Sequence, residues 1–140
     1  MTDHAAAAEF PPAGTAVTQI LVVGDAARSR DFWTGVLGAE LVREYGGTSV
    51  VLRFAGAWIL LVTGGGPTAD KPTVTLAPPA DADLVSAALT LRVPDCREAH
   101  RTLSDRGAQF LTPPHDWGGE VRCYLRDPDG HLIELSEARG

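Results

Sequence analysis

The chain has 140 residues, 44% of them hydrophobic and 21% charged, with a formal net charge of -6. That length suits one domain able to bury its own core, and an acidic balance with Arg and Lys scattered rather than striped argues against nucleic acid or an anionic membrane as partner. Arg53 interrupts the longest apolar run, so no segment reads as a membrane span.

Residues 1–15 carry a short alanine run with no basic stretch before it and prolines after it, which reads as a loose tail rather than a signal peptide. A first unit, residues 16–64, opens with the alternating strand VTQILVV, ended by Gly24-Asp25. A helix follows, with Phe32, Val36 and Leu37 at helical spacing and Gly38 as its stop. A short strand at AELVRE comes next, and two further strands, SVVLRFA and WILLVTG, flank Gly56. Residues 65–85 form a Gly- and Pro-rich connector in which TVTL is expected as an extra edge strand.

The same order returns over residues 86–137. AALTLRV is a strand, Asp95 caps a helix with Glu98 at the reciprocal position, and Gly107 closes it. QFL, GEVRCYLR and HLIELSE are the remaining strands, the last two joined by the turn DPDG. The copies align through VVGD with RVPD, LGAEL with RGAQF, and FAGAWILLV with DPDGHLIEL, an internal duplication of a β-α-β-β-β unit. Cys96 and Cys123 lie far apart, form no Cys-x-x-Cys pair and follow no secretory leader, so they read as reduced thiols of a cytoplasmic protein.

The duplicated unit, the opening GD...RDFW..VLG and the ending DPDGHLIEL together resemble the vicinal oxygen chelate superfamily, which includes glyoxalase I, extradiol dioxygenases and the bleomycin and fosfomycin resistance proteins. The resemblance runs from Val17 to Glu137. It implies an α+β fold in which two tandem β-α-β-β-β modules build a curled mixed sheet with a central cup and helices on its outer face. It also implies a homodimer, since many relatives build each cleft from two chains.

In metal-using relatives the resemblance implies four ligand positions, which fall here on Thr18, Leu60, Ala88 and Glu134. A divalent Fe, Ni, Zn or Mn ion needs several converging imidazole or carboxylate donors. Glu134 is the one retained candidate, so no metal cofactor is expected. Gln19, one step from Thr18, points to the opposite strand face. Cys96 and His100 share a helix face at i, i+4 without a third donor, and His131 faces away from Glu134. No Gly-x-Ser-x-Gly elbow, phosphate loop or dinucleotide fingerprint is present.

With Glu134 facing the cup, as the resemblance implies, strand alternation lines it with Thr18, Ile20, Val22, Val50, Leu52, Trp58, Leu60, Val62, Ala88, Thr90, Arg92, Arg122, Tyr124, Leu132 and Ser136. Leu21, Val23, Leu89, Leu91, Ile133 and Leu135 then pack beneath the helices. Trp58 and Tyr124 suit stacking on a planar ring, and Arg92 and Arg122 suit a carboxylate, carbonyl or phosphonate. Glu134 is expected to accept a hydrogen bond or to pair with one of these arginines, and Trp117, on the hinged loop TPPHDWGGE, to fold over a ligand. Asp127 and Asp129 are expected to bond the local backbone of their turn. The sequence thus points to a metal-free protein binding a small aromatic or polycyclic ligand. The alternative is a metal-dependent lyase, isomerase or dioxygenase with Glu134 as one ligand.

Overall fold

The computed structural model describes residues 9–139, so most of the N-terminal tail lies outside it. The first module consists of β1 (Thr18–Val23), α1 (Ala26–Gly35), β2 (Glu40–Tyr45), β3 (Ser49–Phe54) and β4 (Ala57–Thr63). The second consists of β5 (Leu89–Arg92), α2 (Cys96–Asp105), β6 (His115–Asp116), β7 (Glu120–Arg126) and β8 (Leu132–Ala138). Each module is a four-stranded mixed sheet, in the order β1-β4-β3-β2 and β5-β8-β7-β6, and the fold is α+β. The first strand of each module pairs parallel with its last, and the other ladders are antiparallel.

Both helices begin where the sequence places them. Asp25 and Asp95 hold extended backbone and accept hydrogen bonds from the N–H groups of Arg28 and Glu98, each satisfying one of the free donors of a first helical turn. The Glu98 side chain does not complete a reciprocal cap, however; it pairs with Arg101 at 2.6 Å. Each helix lies on one face of its own sheet and seals an apolar layer. Under α1 this layer contains Trp33, Val50, Leu52, Ile59 and Leu61; under α2 it contains Cys96, Leu103, Val121, Cys123, Leu125, Ile133 and Leu135. Trp33, fully buried and edge-on to Phe54 at 5.5 Å, is the largest of these side chains.

The expected phase holds for β1, β4, β7 and β8 but is reversed on β3. Val50 and Leu52 are buried beneath α1, while Val51 and Arg53 share a face with Leu60 and Trp58. Loop length is the cause. Ala55 and Gly56 form a two-residue turn with positive φ at both positions (50° and 81°), so Phe54 pairs with Ala57 and even numbers oppose odd ones. In the second module five residues separate Arg126 from its partner Leu132, and even opposes even.

Three expected strands differ. TVTL makes only a bridge between Gly65 and Leu76, QFL only one between Phe110 and Leu125, and AALTLRV is ordered as a strand from Leu89 to Arg92. The fourth strand of the second sheet is instead β6, beside the Trp117 loop.

The modules meet where the end of β1 touches the DPDG turn. Asp129 Oδ1 accepts the Gly24 N–H at 2.7 Å and lies 3.6 Å from the Arg28 guanidinium, and His131 Nε2 donates to the Val22 carbonyl at 2.7 Å. Asp127 behaves as expected, accepting from the Asp129 and His131 N–H groups, whereas Asp129 spans the junction rather than bonding its own turn. Burial pushes the Asp127 carboxyl above the ordinary carboxylate range. The related junction, where Val93, Pro94 and Asp95 approach Phe54 and Ala55, is instead an open groove of about 820 Å³. Among the described residues no ladder joins β1 to β5, and each of these strands stands at the border of its sheet.

Candidate ligand cup

The helix-free face of the second sheet is built in rows set by strand register. One row reads Thr90, Glu134, Tyr124 across β5, β8 and β7. Tyr124 Oη donates to Glu134 Oε2 at 2.7 Å and Thr90 Oγ1 to Oε1 at 3.1 Å, so each carboxylate oxygen has its own hydroxyl. Donation to that carboxylate, with burial adding to it, raises the Tyr124 hydroxyl above its ordinary pKa.

The next row reads Arg92, Ser136, Arg122. These groups converge on Glu120, which accepts from Ser136 Oγ at 2.6 Å and Arg122 Nη1 at 2.8 Å and lies 3.5 Å from Arg92 Nη1. The Ser136 hydrogen bond, opposed by desolvation and reinforced by the two arginines, holds Glu120 below the ordinary carboxylate range. The expected pairing of Glu134 with Arg92 or Arg122 is therefore not what forms: Glu120, on the same strand face, takes both. Its even spacing from Arg122 and Tyr124 was the available signal.

Trp117 stands at the rim of this face, 61% exposed, with the Arg122 guanidinium 5.1 Å from its ring centre and His115 at 4.2 Å on the same short segment. Asp116 accepts the Gly118 N–H and so fixes the bend that presents the indole. In the first module, Trp58 lies between Thr18 and Arg53, with the Arg53 guanidinium 4.7 Å over its ring. Arg53 escaped the sequence reading because the two-residue turn inverted its phase. The adjoining row, Ile20, Leu60, Val51, is apolar throughout.

Arg92, Trp117, Arg122, Tyr124 and Glu134 thus gather on the second module, and Trp58 sits apart on the first. Cavities of about 290 and 820 Å³ lie between the modules, and none of Trp58, Trp117, Arg122, Tyr124 and Glu134 lines either one.

The four positions implied for a metal do not fit an ion. Thr18 offers a neutral hydroxyl, Leu60 and Ala88 offer no side-chain donor, and both Glu134 oxygens already accept hydrogen bonds. Among the described residues, no three His, Cys, Asp or Glu side chains converge as a metal site would require.

The sequence model of the Glyoxalase/Bleomycin resistance protein/Dioxygenase superfamily matches residues 3–135. Lactoylglutathione lyases of Escherichia coli O157:H7 and Salmonella typhimurium are 30% and 29% identical over 127 residues, which cover 86% of this chain and 90% of theirs. Among solved structures, a glyoxalase/bleomycin resistance protein/dioxygenase from Nocardioides superposes with a TM-score of 0.74 at 23% identity, covering 96% of this chain and 89% of that one. TnmS3, an antibiotic binding protein from Streptomyces sp. CB03234, superposes at 0.65 with 21% identity, covering 89% and 96%. At these identities the two structures share the fold.

Proposed function

The chain belongs to the Glyoxalase/Bleomycin resistance protein/Dioxygenase superfamily, and on that premise we propose that it binds a small planar aromatic or polycyclic ligand without a metal. The observation that carries this reading is the state of Glu134, whose two oxygens are each taken by a hydroxyl of its own sheet. A carboxylate so engaged serves as a fixed acceptor rather than as an open ligand. Around it, Tyr124, Trp117 and Arg122 offer a ring, an exposed indole and a forked donor, the mixture of apolar surface and few polar handles that small-molecule sites use.

Trp58 enters the same cup if two chains combine. Among the described residues β1 and β5 stand at the borders of their sheets, and a homodimer would set the first-module face of one chain against the second-module face of the other. Cytoplasmic residence goes with this reading, since both cysteines are free. No helix among the described residues is long and apolar enough to cross a membrane. A second reading, a metal-dependent lyase or isomerase using Glu134, is favoured by the names of the two lyase relatives and opposed by the missing donors at Thr18, Leu60 and Ala88.

Tryptophan fluorescence titrated with planar polycyclic compounds carrying a carboxylate or phenol tests the binding. Saturable quenching is expected for some of them, weakened about tenfold by Trp58→Leu, the loss of roughly 1.4 kcal/mol of stacking. Quenching unchanged by both Trp58→Leu and Trp117→Leu would remove the stacking residues from the site. Sedimentation should give the mass of two 14.8 kDa chains.

A further inference from the structure

On the helix side of the second sheet, away from the cup, two thiols are in contact. Cys96 is the first residue of α2 and Cys123 lies in the middle of β7. Both are fully buried, and their Sγ atoms are 3.7 Å apart. A disulfide needs about 2.05 Å between sulfurs, so an approach of about 1.7 Å, shared by two side chains, would close it. The Cys96 Sγ also lies 3.7 Å from the Leu135 carbonyl oxygen, and the Cys96 N–H is held by Glu137 of β8 at 2.8 Å, which fixes the start of the helix against the sheet.

We propose that Cys96 and Cys123 are a latent redox pair, which a peroxide or a low-molecular-weight disulfide converts into an intramolecular disulfide tying α2 to β7. With peroxide, one sulfur attacks an oxygen, the O–O bond breaks, and a sulfenic acid and one water form. The second sulfur then attacks the sulfenic sulfur, the S–O bond breaks and a second water leaves. Two thiols lose two electrons and two protons, and one peroxide takes them up. With a low-molecular-weight disulfide, one sulfur attacks it, its S–S bond breaks and one small thiol leaves; the second sulfur attacks the protein sulfur of the mixed disulfide and the second small thiol leaves.

Burial raises both thiols, Cys123 to about 12; contact with Cys123 and the charge of Arg97 favour ionisation of Cys96 while Glu137 and Asp95 oppose it, and Cys96 and Glu134 oppose that of Cys123. Thiolate is therefore scarce at neutral pH, and the reaction is slow and quickens as pH rises. The pair is 27 residues apart in sequence, so the bond would remove a sizeable loop entropy from the unfolded chain. It would also brace from behind the strand segment that carries Arg122 and Tyr124 on its other face.

The test treats the reduced full-length protein with hydrogen peroxide, and separately with oxidised glutathione, at mildly alkaline pH. Free thiols are then alkylated in denaturant and the protein weighed and mapped. Both thiols should disappear together with loss of two hydrogens, a Cys96–Cys123 linked peptide should appear, and the melting temperature should rise by several degrees until dithiothreitol reverses it. Cys96→Ala and Cys123→Ala should each form no linked peptide and show no rise in melting temperature, their remaining thiol stopping at an oxidised but uncross-linked state that dithiothreitol returns to the thiol; if either folds poorly, the peptide map of the unmutated protein decides. Two alkylatable thiols remaining after an exposure that oxidises the chain fully in urea would overturn the proposal. Glutathione adducts, sulfinic acids, chain-to-chain disulfides, or a cross-linked protein that melts no higher would overturn it equally.

Discussion

The two modules share one frame and present opposite chemistry on their open faces. On the first, Leu60 sits between Ile20 and Val51 in an apolar row. On the second, Glu134 occupies the corresponding strand position between two hydroxyl donors, and the neighbouring row gathers two arginines on Glu120. Beneath the helices the two modules stay alike, since one apolar cluster runs under both. A duplicated fold holds its helix side fixed because burial there supplies stability, and the other side is free to differentiate into an apolar half and a polar half.

If the cores are equivalent although the faces differ, truncating either should cost alike. Trp33→Ala under α1 should destabilise by about 3–5 kcal/mol and Leu135→Ala under α2 by about 2–5 kcal/mol, read from urea melts. A cost confined to one module would break the equivalence. Exchanging the chemistry of the faces should be milder. Glu134→Leu removes the acceptor of the Tyr124 and Thr90 hydroxyls, and Leu60→Glu places a carboxyl beside Ile20 and Val51 with no donor in its row; on this half-exposed face water replaces part of what is lost, and each should cost about 0.5–1.5 kcal/mol.

The turn that sets the first module's phase carries Ala55 at φ 50°, a conformation that favours glycine. Ala55→Gly should therefore stabilise by about 0.5–1 kcal/mol. The smallest effect concerns Glu120. Its folded pKa lies below the unfolded value, so its contribution is complete above about pH 4.3 and fades as the pH falls through the lowered folded value. Glu120→Gln should flatten the acid limb of the stability curve, and an unchanged limb would show that the Ser136 hydrogen bond and the arginine pairing together add nothing.

Much of this was legible in the sequence, because amphipathic alternation, Asp caps and Gly stops are local signals, and the repeat doubled each of them. The phase of β3 was not, because face assignment passes from strand to strand through the turn, and a two-residue loop reverses what a five-residue loop preserves. The family resemblance, not alternation, put Glu134 on the cup side, and alternation only carried that phase to the neighbouring strands. Its partners were misjudged because charge pairing was weighed without Glu120, which competes for the arginines from two residues before Arg122. The bond from Asp129 to Gly24 spans 105 residues, and no local pattern encodes it.

The central claim is that Glu134 is a hydrogen-bonded acceptor and not a metal ligand. Calorimetric titration of chelator-treated protein with Ni, Zn, Mn and Fe(II), the iron under anaerobic conditions, tests it most directly, with Glu134→Gln alongside. The account predicts no tight saturable binding, and weak heats that Glu134→Gln leaves unchanged. Stoichiometric submicromolar binding of any of these ions, lost in Glu134→Gln, would contradict it.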